Sequence, residues 1–282
     1  MRKSKVILGI TQFGLNYGIL NRHNSNKKKK LKQILKFSKK KGINSIYSSK
    51  YYGNANRFLA TVNLNYFKIY IKFKSQDLLK KNFSEDFEKI KKKLKKNNLI
   101  LMLDRFENLK NRERLKIYNI LLDLKKDKKI NRFGYSIYSF KNLKKICHKF
   151  KPNILQCPYN VIDRRLEEKK VLQFLKVNKI EIHVRSIFLQ GLLILRYSKH
   201  PRKFSKWKKI FKKFDDQIQH YKISNLDWCL NFIEKNKYIN KILLGVDNID
   251  QLREICSFKN NRKIKFPKIY VKDEKLINPS KW

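Results

Sequence analysis

Short apolar runs alternate along the chain with longer stretches in which apolar residues recur every three or four positions. The short runs have the length of buried strands, and the longer stretches have the spacing of helices with one buried face. One such stretch places Leu31, Ile34, Leu35 and Ser38 on one side and lysines on the other. The predicted strands are 5–10, 43–47, 67–73, 99–103, 132–136, 153–157, 181–186 and 241–245.

Helical stretches separate these runs. They lie at 31–38, 54–62, 83–94, 111–126, 143–150, 167–178, 226–233 and 249–255. Ser139 and Ser224 are predicted N-caps, because a serine hydroxyl accepts a hydrogen bond from a free amide in the first helical turn. The segment 197–222 is predicted to be a long polar and aromatic excursion, and no helix is assigned to it.

Eight buried strands with intervening helices predict a single-domain (β/α)8 barrel over residues 1–282. A doubly wound open sheet is the alternative, but no G-x-G-x-x-G follows the first strand. In a barrel of this kind the active site lies at the carboxyl ends of the strands. The residues that directly follow each apolar run are therefore the functional candidates.

The formal net charge of +48 first suggests a surface that binds nucleic acid or another polyanion. Only 14 of the 70 basic residues are Arg, however, and Ala occurs only at Ala55 and Ala60. This composition is typical of A/T-rich codons and spreads Lys over every helical surface, whereas Arg is the usual residue for phosphate recognition. A basic polyanion-binding scaffold stays an alternative. No nucleic-acid-binding motif is present, so specific nucleic-acid binding is not expected.

Four cysteines, at positions 147, 157, 229 and 256, have neither disulfide-framework nor metal-site spacing. They predict reduced thiols in a cytoplasmic protein, with no metal site. The amino-terminal apolar run ends at Thr11, too early for a signal peptide, and no run approaches the length of a membrane span. We therefore expect no membrane association.

Several phrases at the predicted strand ends resemble one family. They are LGITQFGLNYGI, KGINSIYSSKYYGNA, GYSIYSFKNL, ILQCPYNVIDRR, IEIHVRSIFLQGLL and LLGVDNIDQLREI. Together they resemble a bacterial branch of the aldo/keto reductases, in the family's order, over residues 5 to about 256. Residues 257–282 would then form a C-terminal extension. The resemblance implies a (β/α)8 barrel that transfers hydride between NADP or NAD and a small aldehyde or ketone, with NADPH favoured by the resemblance alone.

The family uses an Asp, Tyr, Lys and His tetrad, and the resemblance places its Tyr at Tyr52 and its Lys at Lys72, with Lys74 as the fallback. The phenol of Tyr52 would donate a proton to the carbonyl oxygen as hydride arrives, and the ammonium would assist it. Two members differ. Tyr47 stands where the family has Asp, and Asp104 stands where it has His. We expect Asp104 to supply a negative charge near the lysine from a different strand.

The resemblance also implies a cofactor site. Ser136 and Gln156 would bind the nicotinamide carboxamide, and Arg185 would stack on the ring. The remaining cofactor residues would be Ser186, Leu189 and Gly191 along the pyrophosphate, and Gly245, Asp247 and Glu254 at the adenosine end. Gln251 replaces the basic residue that usually binds the 2′-phosphate, so the choice between NADP and NAD stays open.

Two hypotheses follow for the barrel itself. The first is an NAD(P)H-dependent reductase with Tyr52 as proton donor. The second is a barrel that binds cofactor or ligand but has lost full reductase activity, because Tyr47 and Asp104 replace two members of the tetrad.

Overall fold

The strands close into one parallel barrel. The computed structural model describes residues 1–19 and 26–282, and in this part of the chain eight strands pair in sequence order, with the last pairing with the first. The strands are β1 Val6–Gly9, β2 Ser45–Ser49, β3 Lys68–Lys74, β4 Leu99–Asp104, β5 Ile130–Ser136, β6 Ile154–Pro158, β7 Glu181–Arg185 and β8 Lys241–Gly245. The predicted (β/α)8 barrel is confirmed, and the open-sheet alternative is wrong.

Helices cover the outside of the barrel. They are α1 Thr11–Gly14, α2 Lys27–Lys40, α3 Ala55–Leu59, α4 Phe83–Leu94, α5 Asn111–Lys126, α6 Leu143–Lys149, α7 Val171–Val177, α8 Lys208–His220, α9 Asn225–Glu234, α10 Ile249–Ser257 and α11 Glu274–Ile277. Short 3₁₀ helices lie at Lys3–Lys5, Ser75–Leu79, Phe106–Asn108, Arg165–Lys170, Leu189–Ile194, Tyr197–Lys199, Arg202–Trp207 and Pro279–Lys281. Helix α2 buries Leu31, Ile34, Leu35 and Ser38, as the apolar spacing predicted.

The two predicted N-caps have different outcomes. Ser224 caps α9, and its hydroxyl accepts a hydrogen bond from the backbone N–H of Asp227 at 3.0 Å. Ser139 does not cap α6, which begins at Leu143 after the left-handed Asn142. The backbone N–H of Ser139 instead donates to the Glu107 carboxylate at 3.2 Å. This bond holds the loop after β5 against the loop after β4.

The segment 197–222 is more regular than predicted, because it contains α8. Phe211, Phe214 and Ile218 are its buried residues, and they follow the three- and four-residue spacing of a helical face. Apart from Ile210, lysines and other polar residues occupy the remaining positions, so the apolar pattern of the helix is sparse. Within the predicted excursion the structure therefore adds a helix that the sequence analysis did not assign.

Side chains fill the middle of the barrel. Ile7, Tyr47, Tyr70, Met102 and Ile154 form a buried cluster inside it, one from each of five strands. A second and much larger apolar cluster lies between the strands and the helices. Since the interior is packed, any ligand space must lie above this layer, at one end of the barrel.

The chain after α10 packs back onto the barrel. The backbone N–H of Val271 donates to the Ile162 carbonyl at 3.1 Å, and the Trp282 ring packs edge-on against Phe204 with 4.9 Å between ring centroids. The four cysteines are unpaired. Among the described helices, none combines the length and the apolar character that crossing a bilayer would need.

Candidate active site

A cavity of about 330 Å³ opens at the carboxyl ends of the strands. The structure brings together at its wall most of the residues predicted for the site. They are Tyr47, Tyr52, Lys72, Ser136, Gln156, Arg185, Ser186, Gly191, Gly245, Asp247 and Glu254. Leu189 is fully buried and does not line the cavity. Asp104 does not line it either, but it forms an ion pair with Lys72, which does.

Tyr52 lies in the turn between β2 and α3, and glycine packing holds that turn. Gly53 has φ of +48°, a left-handed conformation that favours glycine. A Cβ on Gly53 would lie 2.6 Å from the Gly14 carbonyl oxygen, and one on Gly14 would lie 2.7 Å from the Tyr52 carbonyl carbon. The loops after β1 and β2 therefore touch backbone to backbone, which positions Tyr52 at the cavity wall.

The neighbouring Tyr51 anchors the same turn from outside. Its ring is partly exposed, and its hydroxyl donates to the Asp77 carboxylate. Inside the turn, the Asn56 side chain donates to the Ser49 carbonyl at 2.8 Å and accepts from the Ser48 hydroxyl at 2.6 Å. Hydrogen bonds on both sides thus fix the backbone that carries Tyr52.

Lys72 and Asp104 meet at the mouth although they come from different strands. The Lys72 Nζ lies 3.4 Å from Asp104 Oδ1 and 6.0 Å from the centroid of the Tyr52 ring. The two charged side chains are 19% and 18% exposed, so solvent screens the pair only in part. Lys74 does not line the cavity, and its Nζ lies over the ring of Tyr51 instead. Lys72 is therefore the lysine that faces Tyr52.

Tyr47 lies inside the barrel directly below this group and is 1% exposed. Burial, then the proximity of Tyr52 and Asp104, raises its pKa well above the ordinary value for tyrosine. Its hydroxyl lies near Ser136 but makes no hydrogen bond of normal geometry within the described residues. Tyr47 is therefore a neutral phenol directly below the mouth.

Ser136 and Gln156 form a buried polar pair on neighbouring strands. The Ser136 hydroxyl donates to Gln156 Oε1 at 3.0 Å, and both residues are 1% exposed. This bond orients the carboxamide, whose Nε2 has no hydrogen-bond partner among the described residues. A buried amide donor without a partner is costly, so this wall of the cavity is suited to a ligand that offers a hydrogen-bond acceptor.

Arg185 extends from the end of β7 across the ring of Tyr138. Its guanidinium lies 3.9 Å from the ring centroid, and it donates to the Ile137 carbonyl at 3.0 Å and to the Ser186 hydroxyl at 3.3 Å. Burial acts to lower the pKa of Arg185, but the nearby Tyr138 and Tyr17 more than offset this and raise it. The site therefore holds a planar cation in a fixed orientation.

The sequence patterns missed several residues of the cavity wall. Tyr17, Tyr138, Phe188 and Gln190 line it, and none was assigned a role. Tyr138 comes two residues after Ser136 at the end of β5, so candidates taken two positions beyond each strand would have included it. Phe188 and Gln190 lie after β7 beside the assigned Leu189 and Gly191, and Tyr17 lies in the loop after α1.

The opposite end of the cavity is formed by β8 and α10. The backbone N–H of Asp247 donates to Gln251 Oε1 at 2.7 Å, and the Asp247 Oδ1 is buried without a hydrogen-bond partner in the described part of the chain. A Cβ on Gly245 would lie 2.8 Å from Gln12 Oε1, so the glycine leaves room for that side chain over the strand end.

Fold and site together define the class: a single-domain (β/α)8 barrel with a cavity at the carboxyl ends of its strands, lined by both polar and apolar side chains and large enough for a small ligand. The chain belongs to the aldo/keto reductase family. The sequence profile of that family matches residues 5–265, nearly the whole chain. Aldo/keto reductases are oxidoreductases that act on small carbonyl compounds and generally use NAD(P)H.

Solved structures agree on the fold. Two structures of Pseudomonas aeruginosa proteins named as aldo-keto reductases are 14% and 13% identical to this chain, with TM-scores of 0.64 and 0.62. They cover 90% and 89% of it, and the matches span 88% and 87% of their own chains. The glycerol dehydrogenase of Gluconobacter oxydans is 15% identical with a TM-score of 0.68, over 89% of this chain and 85% of its own. No curated protein sequence matches the chain significantly.

Proposed function

We propose that this protein is an NAD(P)H-dependent reductase of a small aldehyde or ketone, with Tyr52 as proton donor and Lys72 as its assistant. The observation that carries the proposal is the cluster at the mouth. Lys72, from β3, pairs with Asp104, from β4, at 3.4 Å and lies 6.0 Å from the ring of Tyr52, which follows β2.

Each side chain has a chemical task in this proposal. A carbonyl oxygen gains negative charge as it is reduced, and the Tyr52 hydroxyl would give it a proton. The Lys72 ammonium would stabilise the phenolate left behind, and Asp104 would hold that ammonium in place. Tyr47, on β2, is neutral and cannot hold the ammonium by charge. In this proposal the carboxylate of Asp104, on β4, takes that role instead.

The cavity wall also carries groups suited to a nicotinamide dinucleotide. The unpartnered Nε2 of Gln156 would bind the carboxamide oxygen, and the guanidinium plane of Arg185 would lie against the ring. The unpartnered Oδ1 of Asp247 lies toward the other end, where the adenosine would be held. Ser186, Gly191, Gly245 and Glu254 line the wall between or beside these groups. When bound, the cofactor would supply the hydride.

A second function is a barrel that binds cofactor or ligand without full reductase activity. It is favoured by one observation, the buried and neutral Tyr47 in the place of the family's carboxylate. For either function we propose a cytoplasmic location, because the four cysteines are unpaired.

One experiment separates these functions. The purified protein is titrated with NADH and NADPH by nicotinamide fluorescence, and cofactor oxidation is then followed with a panel of small aldehydes and ketones that includes glyceraldehyde. We expect Tyr52→Phe to lower kcat by about 10²- to 10⁴-fold while cofactor affinity is kept.

The matched control is Tyr66→Phe, an exposed tyrosine before β3 that does not line the cavity. Cofactor binding without any turnover would favour the second function. Failure to bind either nucleotide would remove both the reductase and the cofactor-binding barrel.

A further inference from the structure

The proposed adenosine end of the cavity carries a carboxylate that hydrogen bonds with Gln251 orient. The backbone N–H of Asp247 donates to Gln251 Oε1 at 2.7 Å, and Gln251 Nε2 donates to Asp247 Oδ2 at 3.4 Å. These bonds connect Asp247 to the first turn of α10 and leave its Oδ1 buried, with no partner in the described chain.

The charges along the wall are divided between its two ends. Among the described residues, the cations that line the cavity are Lys72 and Arg185, from β3 and β7. The carboxylates that line it are Asp247 and Glu254, at β8 and α10. Lys27 and Lys30 lie close enough to Asp247 to act on its charge, but neither lines the cavity.

The two nicotinamide dinucleotides differ at this end alone. NADH carries a ribose 2′-hydroxyl, which can donate a hydrogen bond to an unpartnered carboxylate oxygen. NADPH carries a 2′-phosphate, which has no donor when fully ionised and is repelled by a carboxylate. A site can discriminate between ligands through such a repulsive group as well as through an attractive one.

Given the proposed reductase function, we propose that Asp247 makes this site selective for NADH over NADPH. Its Oδ1 accepts a hydrogen bond from the ribose 2′-hydroxyl, and Glu254 adds negative charge on the same side. Gln251 keeps the Asp247 side chain in the orientation that this contact requires.

The test is a fluorescence titration of the full chain with NADH and with NADPH, at neutral pH and 0.15 M salt. The salt screens the non-specific attraction of the more anionic nucleotide to the +48 surface. We expect NADH to bind about tenfold more tightly, because the repulsion between the 2′-phosphate and the carboxylate is partly screened at this salt concentration. Competition by 5′-AMP and by adenosine 2′,5′-bisphosphate should show the same preference, which assigns it to the adenosine end.

Asp247→Asn should bring the two dissociation constants within about threefold of each other, chiefly by strengthening NADPH binding. Its retained NADH binding shows that the variant is folded. Asp250→Asn is the matched control, because Asp250 lies three residues later in the first turn of α10, is exposed and pairs with Arg253 outside the cavity. It should leave both constants unchanged.

The outcomes separate the two proposals. NADPH binding as tightly as NADH to the unmodified protein, or an unchanged ratio in Asp247→Asn, would overturn the role of Asp247 and leave the reductase in place. Absence of binding by either nucleotide would overturn the proposed function itself, and the selectivity with it.

Discussion

The backbone contact between Gly14 and Tyr52 gives a sharp test of how the mouth is positioned. Gly14 ends α1 without a positive φ, so alanine is compatible with its backbone conformation and is a better helix former. A Cβ there would nevertheless lie 2.7 Å from the Tyr52 carbonyl carbon and 2.9 Å from the Ala55 nitrogen, and would overlap the Tyr52 carbonyl oxygen. The effect of Gly14→Ala is therefore steric.

The size of the effect follows from these distances. Ordinary contacts of a Cβ are 3.4–4 Å, so the two loops must separate. A separation of about 1 Å moves the proposed proton donor by the same amount, and a misplacement of that size costs about 100-fold in rate. We expect kcat to fall by about that factor in Gly14→Ala, while the KM for the cofactor changes little because the proposed adenosine end lies at β8 and α10, away from this contact.

Steady-state kinetics with the small-aldehyde panel, together with thermal unfolding of each variant, would measure this. Gly42→Ala is the matched control, because Gly42 has φ of +75° and nothing within 4 Å of its would-be Cβ. That variant should lose about 1 kcal/mol of stability from backbone strain and keep its kcat. A Gly14→Ala variant with wild-type kcat would show that the contact does not position Tyr52.

Two further predictions concern charged groups. Asp104→Asn removes the carboxylate that holds Lys72 at 3.4 Å, and we expect about a 100-fold lower single-turnover rate with unchanged cofactor affinity; an unchanged rate would exclude Asp104 from the mechanism. Burial lowers the pKa of His183. Below pH ~6.5 the unfolded chain therefore takes up a proton at this residue that the folded chain does not. The free energy of unfolding should fall as the pH is lowered from 7 to 5. Urea denaturation at both pH values should show a smaller fall for His183→Gln. The hydrogen bond from His183, with the ion pair to Arg132, lowers the pKa of Glu181 to about 2. The stabilisation that Glu181 gives the folded state is therefore fully present above pH ~4.5 and is lost only as the pH falls toward 2.

The strands and their order follow from local pattern. Runs such as residues 99–103 are apolar at nearly every position because both faces of a barrel strand are buried, and this property is visible without any tertiary contact. Helix α8 was missed because its apolar residues are sparse rather than continuous. Phe211, Phe214 and Ile218 are few, and the surrounding lysines carry no periodic information.

The candidate site divides in the same way. The positions of Tyr52, Lys72 and Ser136 at or after strand ends, with the family phrases around them, place them at the mouth from sequence alone. Tyr138 could not be assigned so readily, because its importance comes from Arg185, 47 residues later, whose guanidinium lies 3.9 Å from its ring.

The sequence by itself determined the barrel, the family and the identity of the residues at the carboxyl ends of the strands. It also raised the expectation that Asp104 lies near Lys72, and the tertiary structure gave that pair its distance of 3.4 Å. Only the tertiary structure decided that Tyr47 is a buried neutral phenol and that Asp247, which lines the cavity, has a buried oxygen without a partner in the described chain. The reason is physical. Periodicity depends on the burial of each residue by its own element, whereas charge pairing and unmet hydrogen bonds depend on strand register and on loops from distant parts of the chain that meet at one end of the barrel.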